Sequence, residues 1–282
     1  MRKLGVPFHR SAFFVKLQYA KRSTHNAEGL LSNFGPFAFT QDESMREPAL
    51  SLKRSALSSI LMGEAELYTI TNQLIIHSVI FFYGDAASKD LAWQIANDIG
   101  KHWNEPQAQI KIQGDLYTVQ FEIDGIYEPG LNPEKVWYND NPRYNFFRIE
   151  EYANGNISFV DGIGSNTGYF KLDNLLQTST TAPHEYGHTL GLVHPTKLDI
   201  RGKGIPGIMY PRGTIVDPPF QYNPEARAGD NTNGGTMNPV HRKVLASDIG
   251  DLKLHKLFFN NGKAVVGDFT SLYHEKHTAP VT

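Results

Sequence analysis

One segment carries the strongest signal in this sequence: Thr181-Ala182-Pro183-His184-Glu185-Tyr186-Gly187-His188-Thr189-Leu190-Gly191-Leu192-Val193-His194-Pro195. His184 and His188 are four residues apart, so on a helix they project from one face, one turn apart. Gly191 follows, and a glycine there can adopt a left-handed conformation that ends the helix and turns the chain. The turn returns His194 towards the first two imidazoles. The three histidines are therefore predicted to bind one metal ion.

The ligand set and its neighbour Glu185 indicate a catalytic metal rather than a structural one. Three protein ligands leave one position of a tetrahedral zinc ion open for water. Glu185 directly follows the first histidine and can lean over the ion as a base instead of binding it. The alternative is a surface helix that carries three histidines by coincidence. Helix packing gives no reason for a glycine and a further histidine at this spacing, so the pattern favours the metal site.

A second signal lies downstream, in Gly207-Ile208-Met209-Tyr210-Pro211. Together with the extended motif H-E-x-x-H-x-x-G-x-x-H, this turn-like segment resembles the metzincin clan of zinc peptidases, in which a Met-turn follows the zinc motif. The residues around His184 and the ending Met-Tyr-Pro are most similar to the matrixin family. In that family the methionine sulfur lies under the three histidines as an apolar floor, and Met209 matches this methionine.

The resemblance implies an α+β fold of the metzincin, or zincin-like, type: a twisted mixed sheet with an active-site helix and a smaller C-terminal subdomain. It also implies a zinc metalloendopeptidase, a hydrolase that cleaves peptide bonds of extended protein substrates. His184, His188 and His194 would then hold the catalytic Zn²⁺, and Glu185 would act as general base towards the attacking water.

A second hypothesis is an inactive zinc-binding or interaction protein that retains the peptidase fold. Glu185 discriminates between the two hypotheses. A protein without catalytic demand has no reason to keep a carboxylate beside the ion, so this residue favours the enzyme.

Composition limits the partners and the redox chemistry. The chain has 282 residues and a formal net charge of −2, so its charge does not indicate a nucleic acid partner. It has no cysteine, which excludes disulfides, thiolate zinc ligands and the cysteine-based latency of many matrixins. We expect a monomer whose partner is a protein or peptide substrate.

Residues 1–72 show no clear period and are predicted to form an N-terminal extension: a pro-segment, a linker or a packing extension. The basic leader lacks the apolar stretch and cleavage site of a secretory signal peptide, although the resemblance favours a secreted protein. No segment is long and apolar enough to span a bilayer. The catalytic domain is predicted over residues 73–282, with an upper subdomain at 73–194 and a lower one at 195–282.

The region before the zinc motif predicts a strand, a helix and then several strands. Leu74–Tyr83 is rich in Ile, Val and Phe and predicts a buried strand. Ala86–Trp103 predicts an amphipathic helix. Further strands are predicted at Gln109–Ile112 and Tyr117–Ile123, joined as a hairpin, and at Phe146–Glu150, Ile157–Val160 and around Tyr169. The last of these is predicted to be the edge strand, to which a peptide substrate could add.

Asp161 opens a glycine-rich loop that resembles the calcium-binding loop of matrixins. A structural Ca²⁺ at Asp161 is one interpretation, and an ordinary turn is the other. In matrixins a histidine of the following strand holds a structural zinc, but the sequence Tyr169-Phe170-Lys171-Leu172 contains no histidine.

The C-terminal part predicts few regular elements. Asn238-Pro239 is predicted to open a helix. Leu254–Phe259 and Ala264–Val266 are predicted to form a terminal hairpin. His274 and His277 in the tail are predicted either to bind metal or to belong to an exposed polar end.

Overall fold

The computed structural model describes residues 63–176 and 179–279, which belong to one compact unit. Residues 1–62, and with them most of the predicted N-terminal extension, lie outside the described residues. The elements are β1 (Glu64–Tyr68), β2 (Gln73–Tyr83), α1 (Lys89–Asn104), β3 (Gln109–Ile112), β4 (Asp115–Tyr127), α2 (Pro133–Trp137), β5 (Tyr144–Glu150), β6 (Phe159–Val160), β7 (Thr167–Lys171), α3 (Thr181–Thr189), α4 (Ala246–Asp251) and β8 (Lys263–Val265). Runs of two or three strands separate the first three helices and two helices follow one another before β8, so the fold is of the mixed α+β class.

The strands form one curled, mixed sheet whose main order is β3-β4-β2-β5-β7-β6. β2 runs parallel to β4 and β5, and β5 runs parallel to β7. The outer pairs, β3 with β4 and β6 with β7, are antiparallel. β1 pairs antiparallel with both β2 and β8. A parallel sheet centre is normally covered on both faces, which explains why β2 is apolar along most of its length.

Alternate residues of β2 point to opposite faces of the sheet and enter two apolar clusters. Ile80 and Phe82 belong to the larger cluster, which also contains residues of α1 and α3. Phe81 and Tyr83 belong to a smaller cluster that includes Val136 of α2. The helix with the zinc motif therefore packs on the same face of the sheet as α1. Within the described residues, none of the helices has the length and apolar character needed to cross a membrane.

The sheet begins before the boundary that the sequence predicts at residue 73. Glu64–Tyr68, predicted as part of the N-terminal extension, is a strand paired with β2. Its other neighbour is β8, which lies near the end of the chain. A local pattern cannot reveal this strand, because its stability depends on partners that are distant in sequence.

Two predictions for the C-terminal part are wrong. Leu254–Lys256 is a 3-10 turn, and Lys263–Val265 pairs with β1. Of the predicted hairpin only its turn is present, closed by a single antiparallel bridge between Asn260 and Lys263. Part of the predicted lower subdomain therefore belongs to the sheet. The helix predicted to open at Asn238 is only a 3-10 turn over Pro239–His241, and α4 begins later, at Ala246.

The tail is packed against the sheet, so the prediction of an exposed polar end is wrong. The ring of Tyr273 stacks on Tyr83 with centroids 5.2 Å apart, and that of His277 stacks on Tyr169 at 4.0 Å. The strand at Tyr169 is also not the edge strand. β6 pairs with it and takes the terminal place in the sheet order.

Candidate metal centre

The first part of the histidine motif forms α3, in which every residue of Thr181–Thr189 is buried. Pro183 lies in the first turn, where its missing N–H leaves no intrahelical bond unmade. Thr180 occupies the cap position, but its hydroxyl donates to the carbonyl oxygen of Pro239 at 2.6 Å instead of capping the helix. This hydrogen bond connects the start of α3 to the segment that precedes α4.

The helix ends at Gly191 as the sequence predicts. Gly191 has a φ of 95°, in the left-handed region. Its N–H donates to the carbonyl oxygen of His188 at 3.0 Å, and the N–H of Leu192 donates to that of Gly187 at 3.0 Å. This pair of bonds is a Schellman closure. It turns the chain so that His194 returns towards the helix.

The three histidines converge through their Nε2 atoms. Nε2 of His194 lies 3.0 Å from Nε2 of His184 and 3.0 Å from Nε2 of His188. Nδ1 of His184 donates to the carbonyl oxygen of Ile208 at 2.7 Å, and Nδ1 of His188 to that of Leu192 at 2.8 Å. These bonds select the tautomer that leaves the Nε2 lone pair for a metal. Over residues 63–176 and 179–279, no other group of three or more His, Cys, Asp or Glu is arranged to hold an ion.

The protonation of the three imidazoles also suits a metal. Burial lowers the pKa of His184 and His188 below the usual value, and the charge of Arg242 lowers both further. Burial of its ring lowers the pKa of His194 to about 4, although much of this residue is exposed. Neutral imidazole is the form that binds a metal, so the site is ready for one at neutral pH. The geometry does not identify which metal it holds.

Met209 packs against the helix between the first two histidines. It is buried, and a β-carbon placed on Gly187 would lie 2.3 Å from its Sδ atom. The turn that carries it is closed by a hydrogen bond from Tyr210 N–H to the carbonyl oxygen of Gly207 at 3.2 Å. The apolar floor beneath the histidines stays a prediction of the resemblance. The close contact with Met209 explains why position 187 is a glycine.

Glu185 is buried in the same cavity as two of the histidines. Burial raises its pKa to about 8, while the charge of Arg242 and a hydrogen bond from the backbone of Val160 act in the opposite direction. Glu185, His184 and His194 line one cavity of about 210 Å³. A cation held by the histidines would favour the charged form of this carboxylate.

Arg242 lines the cavity too, and the sequence analysis did not identify it. The residue is only 4% exposed. Its Nε donates to Oγ1 of Thr180 at 2.9 Å, and its Nη1 donates to the carbonyl oxygen of Tyr210 at 3.1 Å. Burial lowers its pKa to about 10, so the guanidinium remains charged at neutral pH. Nothing in the sequence around it distinguishes this arginine from a surface cation.

The predicted calcium site gains no support from the contacts of Asp161. Its carboxylate accepts a hydrogen bond from the hydroxyl of Thr167 and lies 2.9 Å from Nε2 of His274. Calcium takes about six to eight oxygen ligands, and these two partners do not supply such a set. Ca²⁺ at this place stays a prediction.

Comparison with known proteins assigns no family to the chain. No protein-family model matches it, and a search of curated proteins finds no match either. Any assignment must therefore be argued from the motif and from the geometry of the site.

Proposed function

We propose that this chain is a zinc-dependent endopeptidase of the metzincin type, most similar to the matrixins. The observation that carries the proposal is the convergence of three Nε2 atoms beside a buried carboxylate, Glu185, in one cavity. Three further features support it, because the resemblance implies each of them: the mixed sheet, the helix ended by a left-handed glycine, and the methionine turn packed on that helix.

The proposed chemistry divides between the histidines and Glu185. His184, His188 and His194 would hold Zn²⁺ through Nε2. When bound, zinc supplies Lewis acidity towards the substrate carbonyl and lowers the pKa of water. Glu185 would accept a proton from the attacking water and pass it to the leaving amine. One carboxyl group serves both steps best when its pKa lies near the working pH, and burial raises the pKa of Glu185 towards that range.

The edge strand β6 indicates how a substrate would bind. β7 pairs with one side of β6, and within the described residues no strand pairs with its other side. An extended peptide can add to such an edge through its main-chain hydrogen bonds. Since β6 contacts α3, the helix that carries Glu185, a peptide along this strand would pass the base. The proposed substrates are therefore extended segments of proteins.

The test replaces Glu185 with glutamine, which keeps the shape of the side chain and removes the base. We expect kcat/KM on an unfolded protein substrate to fall by roughly 10²- to 10⁴-fold, because this is the usual contribution of a general base. Bound zinc, measured by elemental analysis, should stay at one ion per chain. The control is Glu225→Gln, which changes an exposed acid that does not line the cavity and should leave cleavage unchanged.

Equal cleavage by the Glu185→Gln variant and the unchanged protein would contradict this mechanism. Removal of the metal by a chelator should stop cleavage, and added zinc should restore it. If the unchanged protein binds zinc in this site and cleaves nothing, the inactive zinc-binding or interaction protein becomes the better assignment.

A further inference from the structure

The cavity beside the histidines contains a buried positive charge that the proposed hydrolysis does not use. Arg242 is 4% exposed and forms no ion pair with any carboxylate in the part of the chain that the structure describes. Glu185 lines the same cavity and its charge acts on Arg242, but the two side chains form no ion pair. Burying a charged group without a direct opposite partner is costly, and a negatively charged ligand would lower that cost.

The hydrogen bonds of Arg242 use only part of its guanidinium. An arginine has about five N–H donors in a planar fork. Nε and Nη1 donate to Thr180 and Tyr210, and among the described residues Nη2 makes no hydrogen bond. Nη1 also lies 2.9 Å from Nδ1 of His184. This contact is not a hydrogen bond in the metal-binding tautomer, because Nδ1 then donates its own proton to Ile208.

The cavity lining adds a second positive charge. Arg212, which is exposed, lines the same cavity. Burial lowers the pKa of Arg242, the charge of Glu185 acts in the opposite direction, and the charge of Arg212 lowers the pKa further. Glu185 is the one carboxylate among the described lining residues, and the proposed mechanism assigns it to proton transfer. Two arginines therefore line a cavity whose one described carboxylate, Glu185, is already assigned to proton transfer.

The size of the cavity limits what can bind there. Its volume of about 210 Å³ is below the range of about 300–1,000 Å³ that is usual for small-molecule sites. Such a space suits one amino-acid side chain or one chain end. Because His184, His194 and Glu185 line it as well, a group bound in it would flank the reacting peptide bond.

We propose that this cavity accepts a carboxylate of the substrate and that Arg242 is the residue that selects for it. The inference rests on the proposed peptidase function and adds a substrate class: peptides with a negative charge at a residue that flanks the cleaved bond. Arginine suits this role because its fork binds a carboxylate through two parallel hydrogen bonds. The carboxylate can come from an Asp or Glu side chain or from a free C-terminus.

The experiment uses the zinc-loaded full chain and a degenerate peptide library blocked at both ends. Sequencing of the products identifies the residues on either side of each cleaved bond. We expect Asp and Glu to exceed Asn and Gln at one of the two flanking positions by roughly 10- to 100-fold, the usual range for a hydrogen-bonded charge pair. A second library with free C-terminal carboxylates separates the two sources: cleavage confined to the chain ends of this library identifies the terminal carboxylate.

Three variants test whether Arg242 causes the preference for acidic residues beside the cleaved bond. Arg242→Gln should bring the ratio of acidic to amide residues close to one, and Arg242→Lys should retain part of it, since lysine keeps the charge without the fork. Arg212→Gln, at the exposed rim, should change the ratio much less. If Arg242 only held Thr180 and Tyr210 in position, its replacement would lower cleavage of all peptides equally and leave the ratio of acidic to amide residues unchanged. An unchanged ratio in Arg242→Gln overturns the proposal. So does an unchanged protein that shows neither a preference for acids in the blocked library nor cleavage confined to the free chain ends of the second library.

A binding measurement separates this proposal from the proposed function. Calorimetry requires no turnover and compares three compounds: N-acetylglutamate α-amide with one side-chain carboxylate, N-acetylglutamine with one terminal carboxylate, and N-acetylglutamine amide with none. If the unchanged protein cleaves neither library but binds either carboxylate compound at least tenfold more tightly than the uncharged amide, the peptidase proposal fails and the anion site stands. Equal binding of all three compounds overturns the anion site. This comparison needs only the unchanged protein, so it remains decisive if Arg242→Gln does not fold.

Discussion

Gly187 shows how little space separates the motif helix from the methionine turn. A β-carbon at this position would lie 2.3 Å from Sδ of Met209 and 3.2 Å from the ring of Trp103. Trp103 is held by its own bond, because its Nε1 donates to the carbonyl oxygen of Pro183 at 3.0 Å. Trp103 cannot move without breaking its bond to the helix that carries the histidines, and Met209 is buried.

We therefore expect Gly187→Ala to lower the free energy of unfolding by about 1–3 kcal/mol, the usual cost of overpacking a core. Gly250→Ala is the matched control, because it lies in α4 and a β-carbon there meets no atom within 4 Å. The control should be neutral or slightly stabilising. Denaturant unfolding of both variants measures the difference. Equal stability of the two variants would show that Met209 yields more easily than the distances imply.

At the level of elements, α1 lies so close to β4 that their backbones touch at Gly125. A β-carbon on Gly125 would be 2.2 Å from the carbonyl oxygen of Ala92 and 2.9 Å from Cβ of Ala96. The same interface is looser at Gly100 of α1, where a β-carbon would meet only Cγ1 of Ile123, at 3.8 Å.

This contrast predicts opposite effects of one substitution at two places in a single interface. Gly125→Ala should destabilise the protein by more than about 1 kcal/mol, because the clash is with backbone that cannot rotate away. Gly100→Ala should stabilise it by roughly 0.5–1 kcal/mol, because alanine is the better helix former and has room. Thermal and denaturant unfolding report both changes. A destabilised Gly100→Ala variant would mean that α1 and β4 are packed more tightly there than the structure indicates.

At the level of the whole molecule, the tail after Gly267 returns across the sheet face opposite to the metal-binding helix. Tyr273 and His277 stack on residues of β2 and β7, and His274 pairs with Asp161. The carbonyl oxygen of His274 also accepts a hydrogen bond from Arg148, which is itself bonded to the buried Glu150. The tail therefore covers a polar and aromatic part of the sheet.

Deletion of residues 268–282 should lower the free energy of unfolding by about 1–3 kcal/mol, since each of the two aromatic pairs contributes about 0.5–1.5 kcal/mol. Zinc content should not change, because no ligand lies in the tail. Lys276→Ala is the control: it removes an exposed pair with Asp85 that is expected to contribute less than about 1 kcal/mol. A truncated protein as stable as the full chain would show that the tail adds nothing to the fold.

The sequence by itself determined the three histidines that converge as a possible metal site, the carboxylate beside them and the glycine that ends the helix. These features lie within a single segment, and helical periodicity and the left-handed preference of glycine act over a few residues. For the same reason the sequence correctly predicted the long apolar strand β2 and the amphipathic helix α1, whose patterns are continuous.

Only the tertiary structure decided which distant segments meet. β1 pairs with β8, β6 rather than the strand at Tyr169 takes the edge, and the tail packs on the sheet. It also brought Arg242 to within 2.9 Å of Nδ1 of His184. Such contacts depend on burial and on backbone hydrogen bonds between segments far apart in the chain, and a short window of sequence carries no periodic signal for them.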